Sequence, residues 1–519
     1  MAVLDWWVIA GYLLGMLLLA AWLGKGQTSR RDYYLGAGKL PAPALATSIL
    51  ATQCSTNSLL GAPAFVGFTA GGGLLWLQYE LAVPLAMLAL AFLFPAIHRS
   101  GFISIYGFLE QRLGRGAKLA ASGCFLFFRG VATGVTVYGV ASVLALVTGV
   151  DYLLAVLLLM AVTVAYDVMG GMRAVVVSDV LQMLLLLAAV IVSLVWLMPY
   201  LIDSAADLSA RSTPLLNDWG VSGESNYGFW PMLIGGFFLY TAYYGCDQSQ
   251  AQRLLAAHDE RDLQRVLLLN GLLRFPVVLA YCLLGLGLAA YALAEPDFLS
   301  ELPLTSSGAP NVNLVFPAFV QREFAPGLAG LAIVGLFAAA MSSIDSALNS
   351  LSASALEDFV APASSLSERQ YFLLSKLFTF AWGAFAVAFS FSVEHIAPTV
   401  LEAINKIGSM ANGPLLGLFL LALLRARCGG VVAVSAFLAG LGFNALLWVT
   451  LPTLSWLWWN VTGCVATVLL ARLIMLLRPA PAPARAGRDI SWPPVVLSST
   501  LGIAFLTILV FLLALQYRL

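Results

Sequence analysis

The sequence predicts an all-α polytopic membrane protein of about fourteen transmembrane helices, and three observations predict it. Of 519 residues, 61% are hydrophobic and 10% charged, whereas a soluble globular chain carries about 25% charged residues and needs them to face water. Apolar stretches close to the roughly 20 residues that cross about 30 Å of hydrocarbon recur along the whole chain. The basic residues gather in alternate connections between those stretches.

The apolar segments run near 6 to 24, 41 to 66, 73 to 97, 118 to 147, 152 to 169, 175 to 200, 229 to 246, 266 to 293, 326 to 356, 371 to 391, 397 to 424, 429 to 449, 453 to 477 and 493 to 516. The first has the length of a signal peptide, but Lys25, Arg30 and Arg31 follow it and no basic stretch precedes it. It therefore reads as a retained span. With the first connection in the cytoplasm, twenty Lys and Arg residues between Lys25 and Arg488, Arg253 among them, share that side. The opposite side holds three, Arg211, Arg322 and Arg518. This positive-inside bias predicts a multi-pass cell-membrane protein with both termini outside. The connections 201 to 228 and 294 to 325 read as acidic outer caps, and PAPAPARAGRD from Pro479 to Asp489 as an inner linker.

The 26 basic and 26 acidic residues cancel, which argues against nucleic acid as a partner. Six scattered cysteines show no CxxC spacing, and the histidines His98, His258 and His395 lie far apart at loop margins. Neither a metal cluster nor a nucleophile and base is visible, so no enzyme is expected. The partners that remain are the lipid bilayer and a small-molecule solute.

Polar side chains at membrane depth are costly and mark function unless they serve packing. Four groups stand out. The second span contains SILATQCSTNSLLGAP, Ser48 to Pro63; such a stretch either breaks, freeing backbone carbonyls for a cation, or forms a hydroxyl-rich packing seam. The span from 326 to 356 places Ala339, Ser342, Ser343 and Ser346 at i, i+3, i+4 and i+7, one helical stripe, with Asp345 about 60° around from Ser342. A small-residue packing face explains the serines and leaves Asp345 unexplained. In GGMRAVVVSDVLQ, Asp179 lies beyond the first turn, where the helix dipole no longer favours a carboxylate; a cation ligand fits it better. Arg129 sits deep in its span; it needs an anion, either a substrate carboxylate or a protein partner such as Glu80. Lys406 and Glu402 read as a local i, i+4 pair.

Together these residues resemble the sodium:solute symporter family. The likeness is carried by DYYLGAGKLPAPALATSILATQ from Asp32, the Gly-Gly to Asp179 segment, YYGCDQSQAQRLLA from Tyr243, MSSIDSALNS from Met341 and LEAINKIGSMANGPLLGLFLL from Leu401. The resemblance implies the leucine-transporter fold, two inverted five-helix repeats over 41 to 200 and 229 to 424. They are preceded by one span and inner loop, 1 to 40, separated by the outer loop 201 to 228, and followed by three spans, 425 to 519. It implies a common sodium site on Ala51, Cys54, Ala339, Ser342 and Ser343, with Cys54 offering its carbonyl. A second sodium site falls on Asp179, Ser342 and Ser346, with Asp345 where other members often carry a small or hydroxylated residue. Substrate contacts fall on Gln53, Ser55, Thr56, Ser58 and Gln78, with Tyr243 as inner gate and Arg129 near the carboxylate-binding arginine of sialic-acid members. The expected function is sodium-coupled import of a small organic solute, such as a monocarboxylate or sialic acid. The alternatives are a sugar or other neutral solute, or a transporter-like sensor.

Overall fold

The computed structural model describes residues 1–54, 56–214, 216–220, 227–304, 308–393, 400–424, 428–477 and 492–517, apart from the side chains of 56–57, 146–147 and 400–407. The expected Glu402–Lys406 pair and the linker 479–489 therefore lie outside the described residues. Among those residues the chain is helical, with a single isolated bridge between Leu304 and Pro310. Ten described helices are long and apolar enough to cross a membrane.

In chain order the long elements are α1 (Val3–Leu23), α2 (Ala42–Gln53), α3 (Thr56–Phe68), α4 (Ala82–His98), α5 (Arg115–Thr148) and α6 (Tyr152–Asp203). They continue with α7 (Gly236–Cys246), α8 (Gln248–Leu255), α9 (Glu260–Ala294), α10 (Leu328–Ser354), α11 (Glu368–Ser390), α12 (Val400–Leu423), α13 (Gly430–Thr450), α14 (Trp458–Leu477) and α15 (Val495–Tyr517).

The 52 residues of α6 would measure ~78 Å if straight, far more than a bilayer's hydrocarbon core. The helix is interrupted at Gly171, whose φ of 52° and ψ of −154° suit glycine alone. A Cβ there would meet the Tyr33 ring at 2.6 Å and the Tyr33 carbonyl oxygen at 2.7 Å. The two spans expected on either side of the Gly-Gly pair are thus two arms of one bent element. Short helices at Pro296–Glu301 and Val315–Glu323 occupy the expected outer cap, where Arg322 bridges Glu295 and Glu301.

At the centre lies α10. From Ala329 to Leu356 every residue is buried except exposed Leu331 and half-buried Ser343. It packs chiefly along α6, with α5, α1, α11 and α2 completing the enclosure. Its first turn is capped from another helix: Asp5 of α1 accepts from the backbone N–H groups of Gly327 and Gly330 at 2.7 and 2.8 Å. A carboxylate at a helix N-terminus satisfies orphan donors and suits the dipole. The C-terminal helices α12, α13 and α14 pack mainly on one another, with α12 leaning on α7.

Candidate functional site

Two helices are broken where the site forms. The first break separates α2 from α3: Cys54 leaves helical geometry at φ −81° and ψ 53°, and Thr56 starts the next helix. Of the two readings open for the hydroxyl-rich stretch, a break or a packing seam, the structure has the break. The second break, between α7 and α8, was not expected. Asp247 adopts an extended conformation and caps α8, its Oδ1 accepting from the Ser249 N–H at 2.8 Å. The signal was present in the sequence as Asp followed two residues later by Ser, an N-cap pattern at the end of an apolar run.

The hydroxyl stripe of α10 meets the first break. Ser342 Oγ donates to the Ala51 carbonyl and the Ala339 carbonyl, each at 3.2 Å. Ser343 Oγ donates to the Thr52 carbonyl at 3.0 Å and lies 3.4 Å from the Ala339 carbonyl. Ala51, Ala339, Ser342 and Ser343 are therefore brought together, and all their converging atoms are neutral oxygens. Cys54 is fully buried beside them, and its thiol accepts from Arg274 Nη1 at 3.3 Å.

One turn along, Ser346 Oγ donates to Asp345 Oδ1 at 3.1 Å and lies 2.8 Å from Thr52 Oγ1. Asp345 Oδ2 accepts from the Tyr166 hydroxyl. Asp179 faces the same stripe: its Oδ2 accepts from Ser48 Oγ at 2.5 Å, while Oδ1 is buried with no hydrogen-bond partner among the described residues. The group that binds these oxygens is Arg253 of α8, 1% exposed. Its guanidinium pairs with Asp179 at 3.2 Å, donates to Ser346, and reaches Ser48 Oγ through Nε at 2.5 Å. Counted above as an inner-loop charge, Arg253 is instead a buried cation, because α8 turns back into the core after Asp247.

The solute-facing expectations divide. Gln53 accepts from the Tyr244 hydroxyl, Ser58 Oγ donates to the Gln53 carbonyl at 3.2 Å, and Gln78 Nε2 donates to the Tyr227 carbonyl at 2.8 Å. Gln78 Oε1 is buried without a partner among the described residues. Ser55 and the Thr56 side chain lie outside the described residues. The Arg129 guanidinium carbon lies over the Tyr243 ring, 5.5 Å from its centroid.

Arg129 does not pair with Glu80. Its Nη2 takes Asp247 Oδ2 at 2.6 Å and Ser249 Oγ at 2.7 Å, so the second break supplies the anion. Glu80 is held instead by Arg274 at 3.1 Å and by the Tyr240 hydroxyl at 3.1 Å. Arg274 and Arg253 are the residues that sequence reasoning missed. Arg274 was visible as a lone cation in LLLNGLLRFPVVLA, whereas Arg253 sat among polar neighbours and looked like loop. Two apolar hollows of about 470 Å³ each, one lined by Leu85, Leu88, Phe92 and Phe237 and the other by Val195, Met198 and Ile202, lie away from all these residues.

Comparison with known proteins gives this geometry its context. The mouse sodium-coupled monocarboxylate transporter 1 is 30% identical over 457 residues, covering 86% of this chain and 72% of that protein. The sodium/sialic acid symporter SiaT of Proteus mirabilis is 27% identical, covering 83% of this chain and 86% of its own length. A solved Na+-coupled sialic acid symporter, in a substrate-bound outward-open state, superimposes with a TM-score of 0.82 at 25% identity over 93% of this chain and 99% of that one. The model of the sodium:solute symporter family matches residues 33–440. With that match across most of its length, the chain belongs to the sodium:solute symporter family, as a multi-pass membrane symporter whose coupling ion is sodium.

Proposed function

We propose that this symporter imports a small organic anion of the monocarboxylate or sialic acid class, driven by sodium bound between the first broken helix and α10. The observation that carries the ion site is the meeting of the Ala51 and Ala339 carbonyls with the Ser342 and Ser343 hydroxyls, within 3.2 to 3.4 Å of one another where bonded. Sodium is a hard cation that takes oxygen ligands, and Cys54 would add its carbonyl. Ser343 is the one half-buried residue of the Ala339–Ser346 stripe, its neighbours there being buried.

An ion drawing these oxygens together would tie α2 to α10 and favour the conformation in which both approach. Coupling needs that preference, since equal affinity for two conformations shifts neither. At the second position, Asp179, Ser346 and Ser48 already bind the Arg253 guanidinium, with Asp345 reached through Ser346, so a mobile sodium ion there competes with a tethered charge. The architecture that goes with this reading has fourteen spans, inverted repeats over 41–200 and 229–424, an extra span in 1–40, the outer loop 201–228, three spans in 425–519, and both termini outside the cell. The two broken helices support it, because discontinuous helices in corresponding positions of two halves are a hallmark of such symmetry.

The anion class is supported by the relatives, which carry monocarboxylate and sialic acid. A second reading, a sugar or other neutral solute, is favoured by the Arg129–Asp247 pair, which leaves that guanidinium no unmatched charge. Gln53, Ser55, Thr56, Ser58 and Gln78 provide hydrogen bonds to either, with Tyr243 beneath. The test is thermal stability of purified protein against short monocarboxylates, sialic acid, sugars and amino acids, with sodium or potassium. Sodium-dependent stabilisation by an anion alone supports the first reading and by a sugar alone the second; an absence of any sodium effect would sink the ion site.

A further inference from the structure

We propose that Asp167, on the first arm of α6, is a proton-binding site, a role distinct from solute and sodium binding. Asp167 is fully buried. Its Oδ1 accepts from Asn349 Nδ2 of α10 at 3.2 Å, and its Oδ2 has no hydrogen-bond partner among the described residues. No cationic side chain forms an ion pair with it among those residues. An ionised carboxylate in such a place is strongly disfavoured unless a cation compensates it, so the second oxygen calls for one.

The surroundings select the proton over a metal ion. Asn349 faces Asp167 with its NH2, because its Oδ1 is taken by Gln252 Nε2 at 2.9 Å. Sodium would need several further oxygens, and no side-chain oxygen among the described residues is bonded to this carboxyl. The titratable groups in its electrostatic surroundings are Tyr33 and Tyr34 of the Arg30–Leu35 helix, Arg253 of α8 and Asp179 of the other α6 arm. Arg253 is already paired with Asp179. Tyr33 spends its hydroxyl on the Asp167 backbone carbonyl and Thr379 of α11, and Tyr34 on Ser352. Asp345, one turn before Asn349 on α10, is held by Tyr166 and Ser346.

Asp167 also stands four residues before the Gly171 bend, and the Asn349–Gln252 link joins it to the second broken helix. A proton at Asp167 thus sits on the contacts that join α6, α8 and α10.

Infrared spectroscopy of the full chain in lipid tests the proposal without relying on transport. At neutral pH the wild-type spectrum should contain a protonated-carboxyl stretch component that is lost in Asp167→Asn and in Asp167→Thr. That component should persist whether the buffer holds sodium or potassium, and sodium-dependent thermal stabilisation should remain in both variants. If one variant does not fold, the other carries the assignment, and raising the pH should abolish the wild-type component reversibly. The proposal is overturned if the variants lose no component, if alkaline titration removes none, or if sodium alone removes it, which would make sodium the ligand.

Discussion

Two neighbouring clusters on α10 are built from different oxygens. Around Ser342 and Ser343 the oxygens are neutral carbonyls and hydroxyls, and they satisfy one another across the first broken helix. Around Ser346 the oxygens include the Asp179 carboxylate, and a guanidinium from the second broken helix fills the space between them. The Thr52 hydroxyl, bonded to Ser346, links the two. On the proposed function, neutral oxygens would give a dehydrated ion a moderate grip that can be released in each cycle. A buried carboxylate must keep a permanent partner, and Arg253, which cannot lose its proton, is one.

The largest effect expected from this contrast is in Arg253→Gln. Breaking a buried pair leaves Asp179 uncompensated, at a cost of about 3–5 kcal/mol, read as a steep fall in thermal unfolding temperature of purified protein. Adding Asp179→Asn should recover most of the loss; an unaltered melting curve in the single variant would contradict a tethered cation. Next comes Arg129→Gln, which removes charge-assisted bonds to Asp247 and Ser249 and should lower stability by about 1.5–3 kcal/mol. Because Asn caps a helix about as well as Asp, Asp247→Asn in the same background should keep the α8 cap and add nothing further.

Ser343→Ala removes one neutral ligand, worth about 1 kcal/mol. The sodium concentration giving half-maximal stabilisation should rise about fivefold, with expression unchanged, and an unshifted sodium curve would remove Ser343 from the ion site. Smallest is Asp5→Ala, which uncaps α10 and should cost up to about 1 kcal/mol of stability while leaving sodium dependence alone. A shift in sodium affinity there would mean that the capped end of α10 communicates with the site.

Much of the site was legible because it depends on local spacing. Apolar run length announced the helices, and the 3.6-residue period placed Ala339, Ser342, Ser343 and Ser346 on one face. The polar run after Thr52 marked where the second span either breaks or packs, and Asp179 stood out because its depth exceeds the reach of the helix dipole. Glycines at 170 and 171 announced the bend in α6, because the backbone there admits no side chain.

Pairings were not legible. Arg129 could be read as needing an anion, yet nothing local distinguished Asp247, 118 residues away, from Glu80. Arg253 read as a loop charge because its role depends on α8 folding back against α2, α6 and α10. The sequence by itself determined which apolar segments are helical, where α6 bends and which hydroxyls and carboxylates stand at depth, since these follow from composition and period along one chain segment. Which carboxylate meets which guanidinium was decided only by tertiary structure, because long-range helix packing selects partners that have no relation in sequence.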